Sequence, residues 1–221
     1  MNFPDTLLAD AWYWGGWLIW LPLLVRAVLR APWRVLGDSA RLNLWLGLIV
    51  ALLLIWSIKA GIKPGLSLHL LGATVLTLSF GPWLAFIALS LVLAGVTLND
   101  GAGWASYGLN ALVMAGWSVF LAYRLFRLVD RFLPRHFFIY IFVNGFFGSA
   151  LMVLGVGVGA CLLLALAGAY PAAYLLDEYL PYFVLLGFSE AWLSGMTMTL
   201  LVVYFPGWVA TFDDSRYLAG K

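Results

Sequence analysis

The sequence predicts an all-α, polytopic membrane bundle of about seven transmembrane helices, on three observations. Of its 221 residues 64% are hydrophobic and 10% charged, against about a quarter charged in soluble globular domains. The apolar residues fall into uncharged, Leu-rich runs of membrane-spanning length. They do not alternate with a period of two, so helices are favoured over a barrel, the other way to satisfy every backbone amide in lipid. The arginines cluster between particular runs, which gives each run a direction.

The first run, 11–29, carries Trp12, Trp14, Trp17 and Trp20 as interfacial anchors and packing rings. It has no basic leader and no small-residue cleavage site, and it is preceded by Asp5 and Asp10, so a retained N-terminus is expected over a secretory signal. Arg26, Arg30, Arg34 and Arg41 separate it from the second run, 42–58. The third apolar stretch, 66–98, would form about 50 Å of helix against a hydrocarbon core of about 30 Å. Gly81-Pro82 near its middle removes a backbone donor and disfavours helix just before the proline, so the stretch is divided into 66–80 and 82–98.

Charge tests that division. A fifth helix at 107–126 ends in a second positive cluster, Arg124, Arg127, Arg131 and Arg135. Both clusters are cytoplasmic only if an even number of crossings lies between them, and the division supplies four. Helices at 137–168 and 181–205 complete the set, with the N-terminus outside and the C-terminal tail inside. The run 137–168 is overlong, and its Gly155, Gly157 and Gly159 point to tilt or close packing. Of the twelve basic residues only Lys59 and Lys63 then face outward. The same topology brings Met1 to Asp5, His69, the loop 98–110 and the pair Asp177-Glu178 to the external side, where a shared pocket can form.

The residue inventory excludes several functions. A net charge of +2 gives no argument for nucleic acid, and none of the three lysines stands in a phosphate-loop sequence, so the chain is not itself an ATPase of that class. The two histidines are expected on opposite sides of the bilayer, and no nucleophile, base and orienter can be assembled from them. The protein reads as no enzyme. Cys161 lies alone in an apolar run and carries no redox information.

Four features are candidates for function, each with a plainer reading beside it. His69, at a helix start facing outward, is either a metal ligand or an interfacial ring with its polar edge in water. His136, among arginines at the cytoplasmic interface, reads as interfacial. Glu190 lies nine residues after Pro181, about 14 Å along the helix and near mid-membrane, where an ionisable group needs a partner or a water-filled path. It reads equally as a gating group or as a structural hydrogen-bonding residue. Met196 and Met198 are two apart, point to different faces and read as packing. Gly155/Gly159 and Ala27/Ala31 are small-xxx-small pairs that let helices approach.

Four segments, "MNFPDTLL", "GLSLHLLGATVLTLSFGPWLA", "NDGAGWASYGLNALVMAG" and "GFSEAWLSGMTMTLLV", resemble in order and spacing the cobalt/nickel substrate-capturing membrane component, CbiM/NikM type, of energy-coupling-factor (ECF) ABC transporters. The resemblance covers most of the chain and is most specific at "HLLGA" followed by "GPW". It implies seven helices with an external N-terminus. It also implies a nearly planar nitrogen site for Co²⁺ or Ni²⁺, made from the terminal amine, second-residue nitrogens and the HLLGA histidine. Carried onto this chain, the metal ligands are Met1, Asn2 and His69, with Asp5, Asp100, Asn110 and Glu190 as candidates for lining or gating the pocket. The family begins Met-His-Ile-Pro-Asp, so Asn2 puts a weak oxygen donor in place of an imidazole, leaving its backbone nitrogen as the remaining donor there.

The leading expectation is therefore a substrate-binding permease component for transition-metal uptake in the cytoplasmic (inner) membrane. Its partners would be the lipid bilayer, an ECF coupling subunit and ATPase subunits. The alternative is a non-transporting accessory or scaffold that kept the fold without a complete metal site, and Asn2 is the feature that favours it.

Overall fold

The computed structural model describes residues 2–58, 60, 61, 63–100 and 103–218, with only the backbone at Asp100. Six helices among them are long and apolar enough to cross a membrane. They are α1 (Asp10–Arg30), α2 (Ser39–Ser57), α3 (Ala73–Asp100), α4 (Tyr107–Phe132), α5 (Phe137–Leu166) and α6 (Ala172–Tyr204). A short α7 (Asp214–Tyr217) closes the chain, and a two-residue ribbon pairs β1 (Ala60–Gly61) with β2 (Ser67–Leu68). The chain is a helical membrane bundle. Exposed Leu18, Leu29, Leu166 and Val184 on its rim have no use in water and suit acyl chains.

Helix α3 is two helices meeting at Gly81, which takes φ 79° and ψ 170°. That conformation is open to glycine, and Pro82 cannot donate back across it. The arms run in opposite directions along α2. Gly72, just before the first arm, sits against Leu52, and Gly95 in the second arm sits against Leu53. Nearer the bend, Leu84 accepts a hydrogen bond from the indole of Trp45. The division at Gly81-Pro82 expected from length and charge is therefore a reversal, and the bundle makes seven passes.

The first of these two passes is not the helix expected over 66–80. Residues 66–72 are extended or irregular, and helix begins only at Ala73. The fifth expected helix, 107–126, runs on to Phe132, and the last begins at Ala172 instead of 181, so Asp177 and Glu178 lie on helix and not in a loop. Three π-turns, Leu112–Trp117, Tyr140–Phe147 and Leu175–Tyr179, interrupt α4, α5 and α6.

Contacts between loops sort the chain into two faces. On one, Asp5 meets Ala105 and Ser106, and the Tyr170 hydroxyl donates to the Pro64 carbonyl. On the other, Arg41 donates to the Gly207 carbonyl and Arg216 pairs with Asp130 at 2.9 Å. We call these the amino face and the arginine face. The small-residue positions do what close approach requires: a methyl added at Gly155 or Gly159 would meet Leu121 or Trp117 of α4, and one at Gly157 would meet Phe183 of α6.

Candidate metal centre

The site is built from the amino face inward. Leading into α1, the segment 2–9 is threaded into the bundle, with Phe3 fully buried. Burying such a ring contributes about 1.5–3 kcal/mol and anchors the segment. Its backbone polar groups find partners one by one. The Asn2 N–H donates to Ser67 Oγ at 3.2 Å, and the Phe3 N–H donates to Asn110 Oδ1 at 2.8 Å. Asn110 Nδ2 donates to the Phe3 carbonyl at 3.0 Å and to Asn2 Oδ1 at 2.8 Å. The Tyr13 hydroxyl donates to the Pro4 carbonyl and accepts from the Leu8 N–H.

Asp5 caps the loop before α4. Its carboxylate accepts from the Ala105 and Ser106 amides at 3.2 and 2.8 Å. Partial burial pushes its carboxyl up, but the Ser106 hydroxyl together with those two amides outweighs burial and holds it below the usual carboxylate value.

Residues 66–72 form the opposite wall. Irregular backbone at membrane depth survives only where protein groups satisfy it. Here the Tyr179 hydroxyl donates to the Ser67 carbonyl at 3.5 Å and the Trp56 indole donates to the Leu71 carbonyl at 3.3 Å. The Leu71 and Gly72 amides donate to the carboxylate of Glu190. His69 is 5% exposed, its ring 4.7 Å from that of Trp56, with Nδ1 3.1 Å from the Leu70 carbonyl. A carbonyl only accepts, so this contact places the proton on Nδ1.

The structure thus joins the half-buried Asn2 to Ser67, two residues before the buried His69, and to Asn110, with Glu190 bonded to the histidine loop. Met1 and the Asp100 side chain lie outside the described residues. Asp5 is occupied as a cap, and the Asn2 side-chain oxygen by Asn110. Among the described residues no three His, Cys, Asp or Glu side chains gather to hold an ion. Outside the site, His136 accepts from the Phe138 amide as a helix cap, Met198 is buried packing, and Met196 lies on the rim. Trp56, Ser67 and Ser194 were not singled out from sequence, since an indole, a hydroxyl and a serine in a helix give no signal until the fold supplies their partners.

These features define a class of protein: a polytopic membrane component whose amino-terminal segment docks against a loop carrying a buried histidine. The chain belongs to the CbiM family, described as the cobalt uptake substrate-specific transmembrane region, which it matches over residues 2–208. The family is a membrane component of metal transport, not an enzyme. The chain is 29% identical over 212 residues to the probable fused nickel transport protein LarMN of Lactiplantibacillus plantarum. That match covers 95% of this chain and 60% of LarMN, so the chain spans about three fifths of that relative's length. The fold matches a crystal structure of a truncated transition-metal transporter with a TM-score of 0.79 at 21% identity, covering 92% of this chain and 99% of that one. A second transition-metal transporter matches with a TM-score of 0.75 at 21% identity, over 91% and 92% of the two chains.

Proposed function

We propose that the protein captures a divalent transition-metal ion of the cobalt/nickel class at the amino face and delivers it for uptake. In this reading the amino face is external and the membrane is the cytoplasmic one. An ECF-type coupling subunit and ATPase pair supply the energy that a chain without a phosphate-binding loop cannot. The ligands are the Met1 amine, the backbone nitrogen of Asn2 once it gives up the proton it now shares with Ser67, and Nε2 of His69. The observation that carries the reading is the docking of segment 2–9 beside His69, with Asn2 bonded to Ser67 two residues before the imidazole. Nitrogen donors with few oxygens suit Ni²⁺ and Co²⁺ over Mg²⁺ or Ca²⁺, which take oxygen. Backbone and terminal nitrogens also avoid placing charged side chains at membrane depth, where they are costly.

The test is titration of the purified protein, bearing its native start, with Ni²⁺, Co²⁺, Zn²⁺ and Cu²⁺. It is repeated with His69→Ala and with an added N-terminal extension. Stoichiometric binding lost in both variants supports capture. Binding that neither change alters refutes the ligand assignment.

A second reading, a non-transporting accessory that retains the fold, is favoured by one specific contact. The Asn2 carboxamide is turned to Asn110, at 2.8 Å, and serves as a strut of the docked segment. Copurification with a large complex lacking an ATPase pair, and no bound metal at stoichiometric level, would select it.

A further inference from the structure

Glu190 is fully buried in α6, and among the described residues the three hydrogen-bond partners of its carboxylate are all donors. Oε2 accepts from the Leu71 amide at 2.8 Å, while Oε1 accepts from the Gly72 amide at 2.7 Å and from the Ser194 hydroxyl at 3.2 Å. Two consecutive amides converging on one carboxylate form an anion nest, and the positive φ of Gly72, 65°, turns its peptide into that arrangement. Gly72 is also where the first arm of α3 begins, since its carbonyl accepts from the Leu76 amide at 3.3 Å. The carboxylate therefore holds two of the amide donors at that helix start. Behind it, Ser149 of α5 donates to the Glu190 carbonyl at 3.4 Å, which ties the backbone carrying the carboxylate to a third helix.

The bonded amides are two and three residues from His69. The residue between, Leu70, supplies the carbonyl that holds His69 Nδ1, and the next carbonyl, of Leu71, holds the indole on which the His69 ring rests. Both of these restraints on the imidazole pass through the peptide units that Glu190 grips. We infer that Glu190 is a positioning residue for the metal site, acting through the Leu71 and Gly72 amides to fix the tautomer and direction of His69. The inference rests on the reading that His69 is a ligand, and it assigns Glu190 no contact with the ion. Groups that orient a ligating histidine typically govern 10–100-fold of metal affinity.

The experiment exploits the chain's two histidines. Protein labelled with ¹⁵N at histidine is compared as wild type, Glu190→Gln and Glu190→Asp in detergent, at one pH and without metal. Glutamine turns a donor toward one of the two amides, and aspartate withdraws the carboxylate from both. The expected result is that the ring-nitrogen signals of His69 shift toward a mixture of tautomers while those of His136 stay fixed, with Ni²⁺ affinity lowered about 10–100-fold. Ser194→Ala, which removes one donor and no volume the fold depends on, is expected to move His69 in the same direction by less. Unchanged His69 signals in the folded variants, Ser194→Ala included, overturn the inference. If the wild type binds none of the ions, the capture reading fails, and the nitrogen spectra alone still decide whether Glu190 positions His69.

Discussion

Asn110 and Phe3, 107 positions apart, are joined by a reciprocal pair of hydrogen bonds: the carboxamide oxygen takes the Phe3 N–H at 2.8 Å and its nitrogen serves the Phe3 carbonyl at 3.0 Å. One side chain thus imitates a strand partner for a segment that has none. Replacing it by alanine orphans both backbone groups in a buried place, each at about 1–3 kcal/mol. Asn110→Ala is expected to undock segment 2–9. Hydrogen exchange of the amino-terminal peptide should then accelerate about tenfold or more, and metal affinity should fall with it. Exchange as slow as in the wild type would show that Phe3 burial alone holds the segment.

Much of this arrangement was legible in the sequence, and the losses have physical causes. Gly81-Pro82 and the arginine clusters gave the reversal because proline chemistry and charge act locally or count simply. The irregular leg 66–72 was read as helix because Leu66, Leu68, Leu70 and Leu71 look alike in a buried strand and a buried helix. The π-turns leave no mark in composition, and one of them carries the last helix back to Ala172, past the proline that had set its expected start. His69, Asn110 and Glu190 were noticed for being polar amid apolar neighbours. What each does could not be read, because Glu190 bonds 118 and 119 positions away. From sequence Asp5 is only a candidate for lining or gating the pocket, because its capping role depends on a loop 100 positions on.

Acid should release the same segment by another route. The Asp5 carboxyl is held below its ordinary value, burial being outweighed by the Ser106 hydroxyl and the Ser106 and Ala105 amides. A depressed folded-state value gives stabilisation that is present above the unfolded value of about 3.9 and lost as pH falls through the folded one. Docking is therefore expected to be constant from neutral pH to about 5 and to weaken below about 4. Asp5→Asn should remove that dependence. Exchange of the amino-terminal peptide measured across pH, corrected for intrinsic rates, checks both; an identical acid profile in the variant would place the titrating group elsewhere.

Helices α1 and α4 cross at a pair of glycines that leaves no room for a methyl group. A carbon added at Gly16 would lie 2.6 Å from the Leu109 amide nitrogen, and one at Gly108 would lie 2.7 Å from that of Trp17. Backbone cannot yield as a side chain does. Gly16→Ala and Gly108→Ala are each expected to cost about 1–3 kcal/mol, the usual penalty for overpacking, and the pair together less than the sum because one separation relieves both. Thermal unfolding in detergent, read for the two single variants and the double, measures this. Additive losses would mean that the two contacts are independent.

At Gly81 the same substitution meets the opposite situation, because nothing lies within 4 Å of an added carbon and the whole penalty is conformational. The residue holds φ 79°, where a side chain is strained by about 1–3 kcal/mol. Gly81→Ala should therefore destabilise the reversal without disturbing packing. The strain bears on the short arm 73–80, whose end beside the bend is held by the Ala210 and Thr211 amides donating to the Ser79 and Leu78 carbonyls. With that end tied, relaxation moves the other end, which carries the histidine loop. The expected outcome is a modest loss of thermal stability together with a measurable loss of metal affinity, although the substitution lies twelve residues from His69. Pro82→Ala, which restores a donor and permits helix across the bend, is expected to act in the same direction. Metal titration of both variants beside the wild type decides: lowered melting with unchanged affinity would mean that the reversal and the ion site are mechanically separate.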